Sequence, residues 1–225
     1  MDLPSRNTRP PDTVFHGTDC KFDRFDLSLC LGAHFGTSGA ATARLRSTGR
    51  LAIDYQTYRT PEGQWMVREQ NWSNKPAFEH GPFASEEDAD CFVLCAPPHR
   101  VPLQFEIDVC RPLPLPDLGT WTFEIVMRHL QDEGIFVDTG EIWDAWNISS
   151  EHGWAAMKAA LSSMYYDCVC YTNETEDPGS ISWIVFEPNR IHAKWRPGPG
   201  DSDNDPRFER DIDDEPLFQR ERMRA

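Results

Sequence analysis

The pattern of apolar and polar positions changes period several times along this chain, and each change marks an element. "TVFHGTDCKFDRF" (13–25) opens with a short apolar run ending at His16, which predicts a strand. "GAHFGTSGAATARLRSTG" (32–49) predicts a second short strand, a turn and a helix. Thr37 or Ser38 is placed to cap that helix, Ala40, Ala41, Ala43 and Leu45 favour it, and Gly49 ends it. "CFVLCAPPHRVPLQFEIDVCRPLPL" (91–115) is strand-like, with Leu103, Phe105, Ile107 and Val109 alternating with Gln104, Glu106 and Asp108. Residues 121–134 predict an amphipathic helix with Phe123, Val126, Met127 and Leu130 on one stripe and Gly134 closing it. A second helix is expected over 151–166, with Trp154, Met157, Leu161 and Met164 or Tyr165 inward, and strands over 166–173 and 180–195.

Two stretches resist a period. Residues 55–90 mix Trp, Pro and charge and read as a long irregular insertion. From Arg196 the chain turns to Pro, Gly, Asp and Arg, the composition of an acidic flexible tail, within which "EPLFQRERM" has the makings of a short docking helix. The expected organisation is a polar, Pro-rich flexible arm over 1–12, a single domain over 13–195, and the tail over 196–225. Strands at both ends with helices between them predict an α+β fold with mostly antiparallel or mixed sheets. A dinucleotide fingerprint after a strand and a P-loop are both absent from the sequence.

Charge narrows the function classes. The 225 residues carry a formal net charge of −15. Such a surface disfavours non-specific binding to nucleic acid or an anionic membrane, and it leaves a small anionic ligand or a basic protein partner open. The start reads as a polar arm, and no run of 18 apolar residues occurs, so a cytoplasmic protein is expected. Seven cysteines without a CxxC pair read as reduced thiols. Cys91, Cys95, His80 and His99 fit no familiar zinc spacing. His80, His99, His129, His152 and His192 read as structural, and the Trp-rich stretch 141–154 as core packing or a partner surface.

Three stretches carry candidate chemistry: "FHGT" (15–18), "GAHFGTS" (32–38) and "NETEDPGS" (173–180). In the last, Glu174 and Glu176 flank Thr175, and strand alternation would put both carboxylates on one face. Like charges so placed repel unless each has its own partner or task. A carboxylate can steady an oxocarbenium-like sugar, and a second can deprotonate an attacking group.

Together and in this order the three stretches resemble the ADP-ribosyltransferase-like superfamily, above all its small phage and bacterial members. The most specific likeness is the closing block "YDCVCYTNETEDPGSISWIVFEPNRI" (166–191). The resemblance covers residues 13–48 and about 100–193 and leaves the middle and the tail unexplained. It implies two packed, mostly antiparallel sheets flanked by helices, with NAD bound as substrate in a cleft between them. It implies cleavage of the nicotinamide–ribose bond and transfer of ADP-ribose to a macromolecular target, taken as a protein, in a toxin or effector role. By this likeness Glu176 is the catalytic carboxylate and Glu174 manages the acceptor. His16, Gly17 and Thr18 hold the adenosine-side ribose, His34, Phe35, Thr37 and Ser38 lie on the nicotinamide side with Phe35 stacked on the ring, and Asn173 orients a carboxylate. Ser180 and Ser182 are further candidate hydroxyls. The sequence departs from the family at Cys168, where Gly is usual, and at His34-Phe35, where other branches carry Tyr; Tyr55 and Tyr58 are alternative stacking rings. Two competing readings remain: an NAD glycohydrolase, and a non-catalytic binding or inhibitor protein acting through its acidic surface.

Overall fold

The computed structural model describes residues 3–18, 24–70 and 78–194. The expected acidic tail, its short helix and Cys20 lie outside the described residues. The elements run β1 (Val14–His16), β2 (Ala33–Phe35), α1 (Ser38–Ser47), β3 (Tyr55–Arg59), β4 (Trp65–Glu69) and β5 (Glu79–Phe83). They continue with α2 (Glu86–Cys95), β6 (Leu103–Ile107), β7 (Pro112–Leu115), α3 (Phe123–Asp132), α4 (Gly140–Ile148) and α5 (Ser150–Ser163). The last are β8 (Cys168–Thr172), β9 (Ile181–Val185) and, after a 3₁₀ turn over Pro188–Arg190, β10 (Ile191–Ala193). This is a mixed α+β fold with five helices and three open sheets among the described residues. No helix among them is long and apolar enough to cross a membrane.

The chain divides into two compact units where one domain was expected. The first takes in the described residues of Met1–His16, Arg24–Ala41 and Gln104–Lys194, the second those of Gly17–Asp23 and Thr42–Leu103.

The first unit holds a four-stranded sheet, order β2-β9-β8-β7, and a three-stranded sheet, order β1-β6-β10. In the larger sheet β7 and β8 run parallel, and β9 is antiparallel to both β8 and β2. Period-2 alternation gives that sheet two faces. On one, Leu113, Leu115, Val169, Tyr171 and Ile184 pack against Phe123, Val126, Met127 and Leu130 of α3 and Trp154, Met157 and Leu161 of α5. Those helical positions recur at three- and four-residue intervals, so each helix lays one apolar stripe on the sheet. Phe35 points to the opposite face, where its ring meets Phe25 and Phe105 at 5.7 and 5.4 Å. α4 was not expected; its buried residue is Ile142, with Trp143 and Trp146 partly buried beside it. Trp146 stacks on Phe123 at 4.0 Å, so this part of the Trp-rich stretch is core packing.

The second unit replaces the expected irregular insertion with an antiparallel meander, β3-β4-β5, and helix α2. The period was hidden by a register shift between Trp65 and Val67 and by charged residues at exposed strand positions. "CFVLC" ends α2 and is not a strand. A short apolar run fits either element; here the Ser85 hydroxyl accepts the Asp88 N–H at 3.1 Å and three acidic residues fill the first turn, which selects the helix.

Candidate functional site

The β8–β9 connection is a turn organised by one side chain. β8 ends at Thr172, so the Glu174 and Glu176 segment is not a strand, and alternation does not set its carboxylates. Asn173 is 1% exposed. Its amide oxygen accepts the N–H groups of Thr175, Glu176 and Asp177 at 3.1, 2.8 and 3.1 Å. Its main chain closes the hairpin, with Asn173 N–H donating to Ser180 O at 2.8 Å and Gly179 N–H to Asn173 O at 2.9 Å. Its amide nitrogen donates to Glu176 Oε2 at 2.9 Å and to Ser182 Oγ at 3.2 Å. One buried amide thus satisfies three turn donors and holds the half-buried Glu176 carboxylate. Sequence reading left Asn173 to orient a carboxylate or to cap the turn, and its hydrogen bonds include both kinds.

Glu174 stands differently. Its side chain is exposed, and its N–H donates to Asp117 Oδ2 at 2.9 Å, which ties the loop after β7 to the turn. Asp117 also accepts the Gly119 N–H, at 2.9 Å.

The start of α1 faces this turn. The Thr37 hydroxyl accepts the Ala40 N–H at 3.0 Å, capping the helix, and donates to the Asp177 carboxylate. Asp177 therefore sits at a helix N-terminus, where backbone N–H groups favour negative charge. Two glycines allow the approach. A Cβ on Gly36 would lie 3.0 Å from Ser182 Oγ, and one on Gly39 3.3 Å from Asp177 Oδ2. Ser38 is the first helical residue and is exposed. The Ser180 hydroxyl is buried without a hydrogen-bond partner.

His34 and Phe35 part company because they are neighbours on a strand. Phe35 is 2% exposed and closed into the aromatic core, so its ring is not open for the stacking contact expected of it. His34 points to the same face as Tyr171, with Nδ1 3.4 Å from the Tyr171 hydroxyl. Trp121 completes that cluster, 4.9 Å from the Tyr171 ring and 5.7 Å from His34. His34 and Trp121, both half-buried, are therefore the accessible rings beside the Asn173 turn, with the Tyr171 ring buried against them. Tyr171 had a legible signal, since it lies two residues before Asn173 on a predicted strand. Trp121 had none, being brought in by the loop after β7.

His16 ends β1 among Phe25, Phe35 and Phe105. Its Nδ1–H donates to the His34 carbonyl at 2.8 Å, because a carbonyl only accepts. Burial lowers its pKa, against that hydrogen bond, and favours the neutral ring. Gly17 and Thr18 follow β1 as half-buried chain. Tyr55 and Tyr58 both lie in the second unit. The Tyr55 hydroxyl donates to the Pro97 carbonyl at 3.0 Å, and the Tyr58 hydroxyl to Glu79 Oε1 at 2.8 Å. His80 Nε2 is 2.9 Å from Glu69 Oε1. No group of three or more His, Cys, Asp or Glu side chains gathers as a metal site among the described residues.

The arrangement offers a carboxylate fixed by a neutral amide, a second carboxylate two residues away with its side chain in solvent, and a polar aromatic surface. That set suits stabilisation of positive charge developing on a bound sugar. The chain matches no protein-family model, no curated protein and no solved structure.

Proposed function

We propose that this protein is an ADP-ribosyltransferase that takes NAD as substrate and acts from the Asn173 turn. The observation that carries the reading is the hydrogen bond from the buried Asn173 amide to Glu176, in the block whose sequence most resembles the superfamily. A carboxylate held in advance loses little freedom when charge develops beside it, which is how electrostatic catalysis is made efficient. In the reaction, the C–N bond between nicotinamide and ribose breaks and its electron pair returns to the pyridinium nitrogen. Nicotinamide leaves neutral, and the ribose C1 takes on oxocarbenium character. Glu176 steadies that charge. The acceptor nucleophile adds at C1, and its proton passes to Glu174, whose exposed side chain suits contact with a macromolecule. His34 and Trp121 offer the ring surface beside the reacting bond, in the role first expected of Phe35.

The test is NAD labelled in its adenylate, incubated with the protein in cell lysate. Label on a discrete macromolecule is the expected result and identifies the target. Released nicotinamide with only free ADP-ribose would replace the transferase with an NAD glycohydrolase. Absence of any NAD cleavage would overturn both and return attention to the acidic surface.

A further inference from the structure

The four-stranded sheet has a second end, where the chain enters β7 and β8 and leaves β9. A cleft of about 300 Å³ opens there, lined by Arg111, Ser162, Tyr165, Phe186 and Arg190 and by two carboxylates, Asp167 and Glu187. That volume is at the lower bound of small-molecule pockets, roughly 300 Å³. The Asn173 turn follows the last residue of β8, whereas Asp167 precedes its first. At roughly 3.3 Å per residue the two ends stand about 15 Å apart, so a ligand in this cleft does not share the Glu176 site.

The cations of the cleft are not used alike. Asp167 Oδ1 accepts the Arg111 N–H and Oδ2 the Cys110 N–H, both at 3.0 Å. Arg190 donates to the Asp108 carbonyl at 2.8 Å and lies 3.7 Å from Asp167 Oδ2. The Arg111 guanidinium lies 5.3 Å over the Tyr165 ring and makes no ion pair among the described residues.

Tyr165 breaks a local rule. α5 ends with Tyr166 N–H donating to Leu161 O at 3.1 Å and Tyr165 N–H to Ser162 O at 2.9 Å. That reciprocal cap needs a left-handed residue, usually Gly. Tyr165 takes it at φ 67°, among the described residues the one non-glycine with positive φ. Its ring is 72% exposed, so core packing does not offset the strain. The left-handed backbone aims the ring at the cleft and at Arg111. A bulky residue held in a strained conformation without a packing reason points to a ligand contact.

The geometry points to a binding site for a small aromatic phosphate, a nucleoside monophosphate by size and chemistry. The base stacks on the exposed Tyr165 ring, and the phosphate takes the guanidinium forks of Arg111 and Arg190, with the Ser162 hydroxyl as a further donor. Guanidinium matches phosphate geometry in two parallel hydrogen bonds. Stacking on an aromatic ring tolerates any base, so base identity has little influence. Of the two carboxylates in the cleft, Asp167 is taken up by two backbone N–H groups and Arg190, and Glu187 is the one the phosphate must avoid in reaching the Arg111 guanidinium.

Calorimetric titration of the full chain with AMP tests this. Saturable binding is expected, with adenosine and inorganic phosphate each at least about tenfold weaker. Arg111→Ala and Tyr165→Gly are each expected to weaken AMP by about tenfold or more, and Tyr165→Phe to keep it. Tyr165→Gly should also raise the melting temperature, because Gly suits the left-handed cap, so its loss of binding cannot be a loss of fold. No saturable binding at millimolar AMP overturns the proposal. So does an affinity that neither Arg111→Ala nor Tyr165→Gly changes.

Discussion

Two glutamates mark the contrast between the two units. In the second, Glu69 of β4 is 3% exposed and has a hydrogen-bonding partner on each oxygen. His80 Nε2 lies 2.9 Å from Oε1, and Arg100 donates to Oε2 while its other amino group donates to the Gln70 carbonyl at 3.0 Å. In the first, Glu176 is half-buried and takes a hydrogen bond from a neutral amide. A buried carboxylate paired on both oxygens is committed to the fold. On the function proposed, the half-buried carboxylate held by the amide meets the cation that forms during the reaction. The same residue type thus serves cohesion in one unit and, on the function proposed, chemistry in the other.

The contrast can be broken from the structural side first. Glu69→Ala leaves Arg100 buried without its partner and should cost roughly 3–5 kcal/mol of stability, read by urea unfolding. The site side gives a smaller stability effect with a larger functional one. Asn173→Ala strips one acceptor from three turn amides and should cost roughly 1–3 kcal/mol. Asn173→Asp keeps that acceptor but sets a like charge against Glu176, so turnover should fall further than stability does. Equal losses in both quantities would make Asn173 a purely structural residue.

Acid sharpens the comparison. Burial pushes the Glu69 carboxyl up, but the His80 hydrogen bond and the Arg100 charge outweigh it, and the net direction is downward. A lowered folded pKa contributes stability above the unfolded value, near roughly pH 4.3, and that stability is lost as pH falls through the folded one. Unfolding free energy should therefore drop with acid in the wild type and drop less steeply in Glu69→Gln. The smallest effect is on thiol chemistry. Burial pushes the Cys170 thiol up to about 11 and also raises Cys168. Both should resist alkylation at neutral pH, while the exposed Cys91 and Cys95 react, as site-resolved mass spectrometry would show.

Much of the first unit was legible in the chain. α3, α5 and β6 announced themselves through a 3.6- or 2-residue period, and β8 and β9 through short apolar runs buried on both faces. Thr37 was legible as the cap of α1 because a hydroxyl ahead of an alanine-rich run has few other uses. The second unit was not legible, because its strands are short, bulged and charged on their outer positions. At the proposed site a motif pointed to Asn173, Glu174 and Glu176; the strands expected over 166–173 and 180–195 left a loop between them, and only the alternation considered for the two carboxylates does not apply. A turn wrapped around one buried amide has no period, and its signature is only the Asn followed by Asp, Pro and Gly. Phe35 was misassigned for the opposite reason. Alternation had to send one of His34 and Phe35 inward, and the apolar ring went to the core.

The central claim is that Glu176 stabilises the transition state of NAD cleavage. The most direct measurement compares nicotinamide release by wild type and Glu176→Gln at saturating NAD, with NAD affinity and thermal stability measured on the same samples. The account predicts a turnover lower by about 10²–10³ with affinity and stability preserved. Equal turnover in a folded Glu176→Gln that still binds NAD would contradict it.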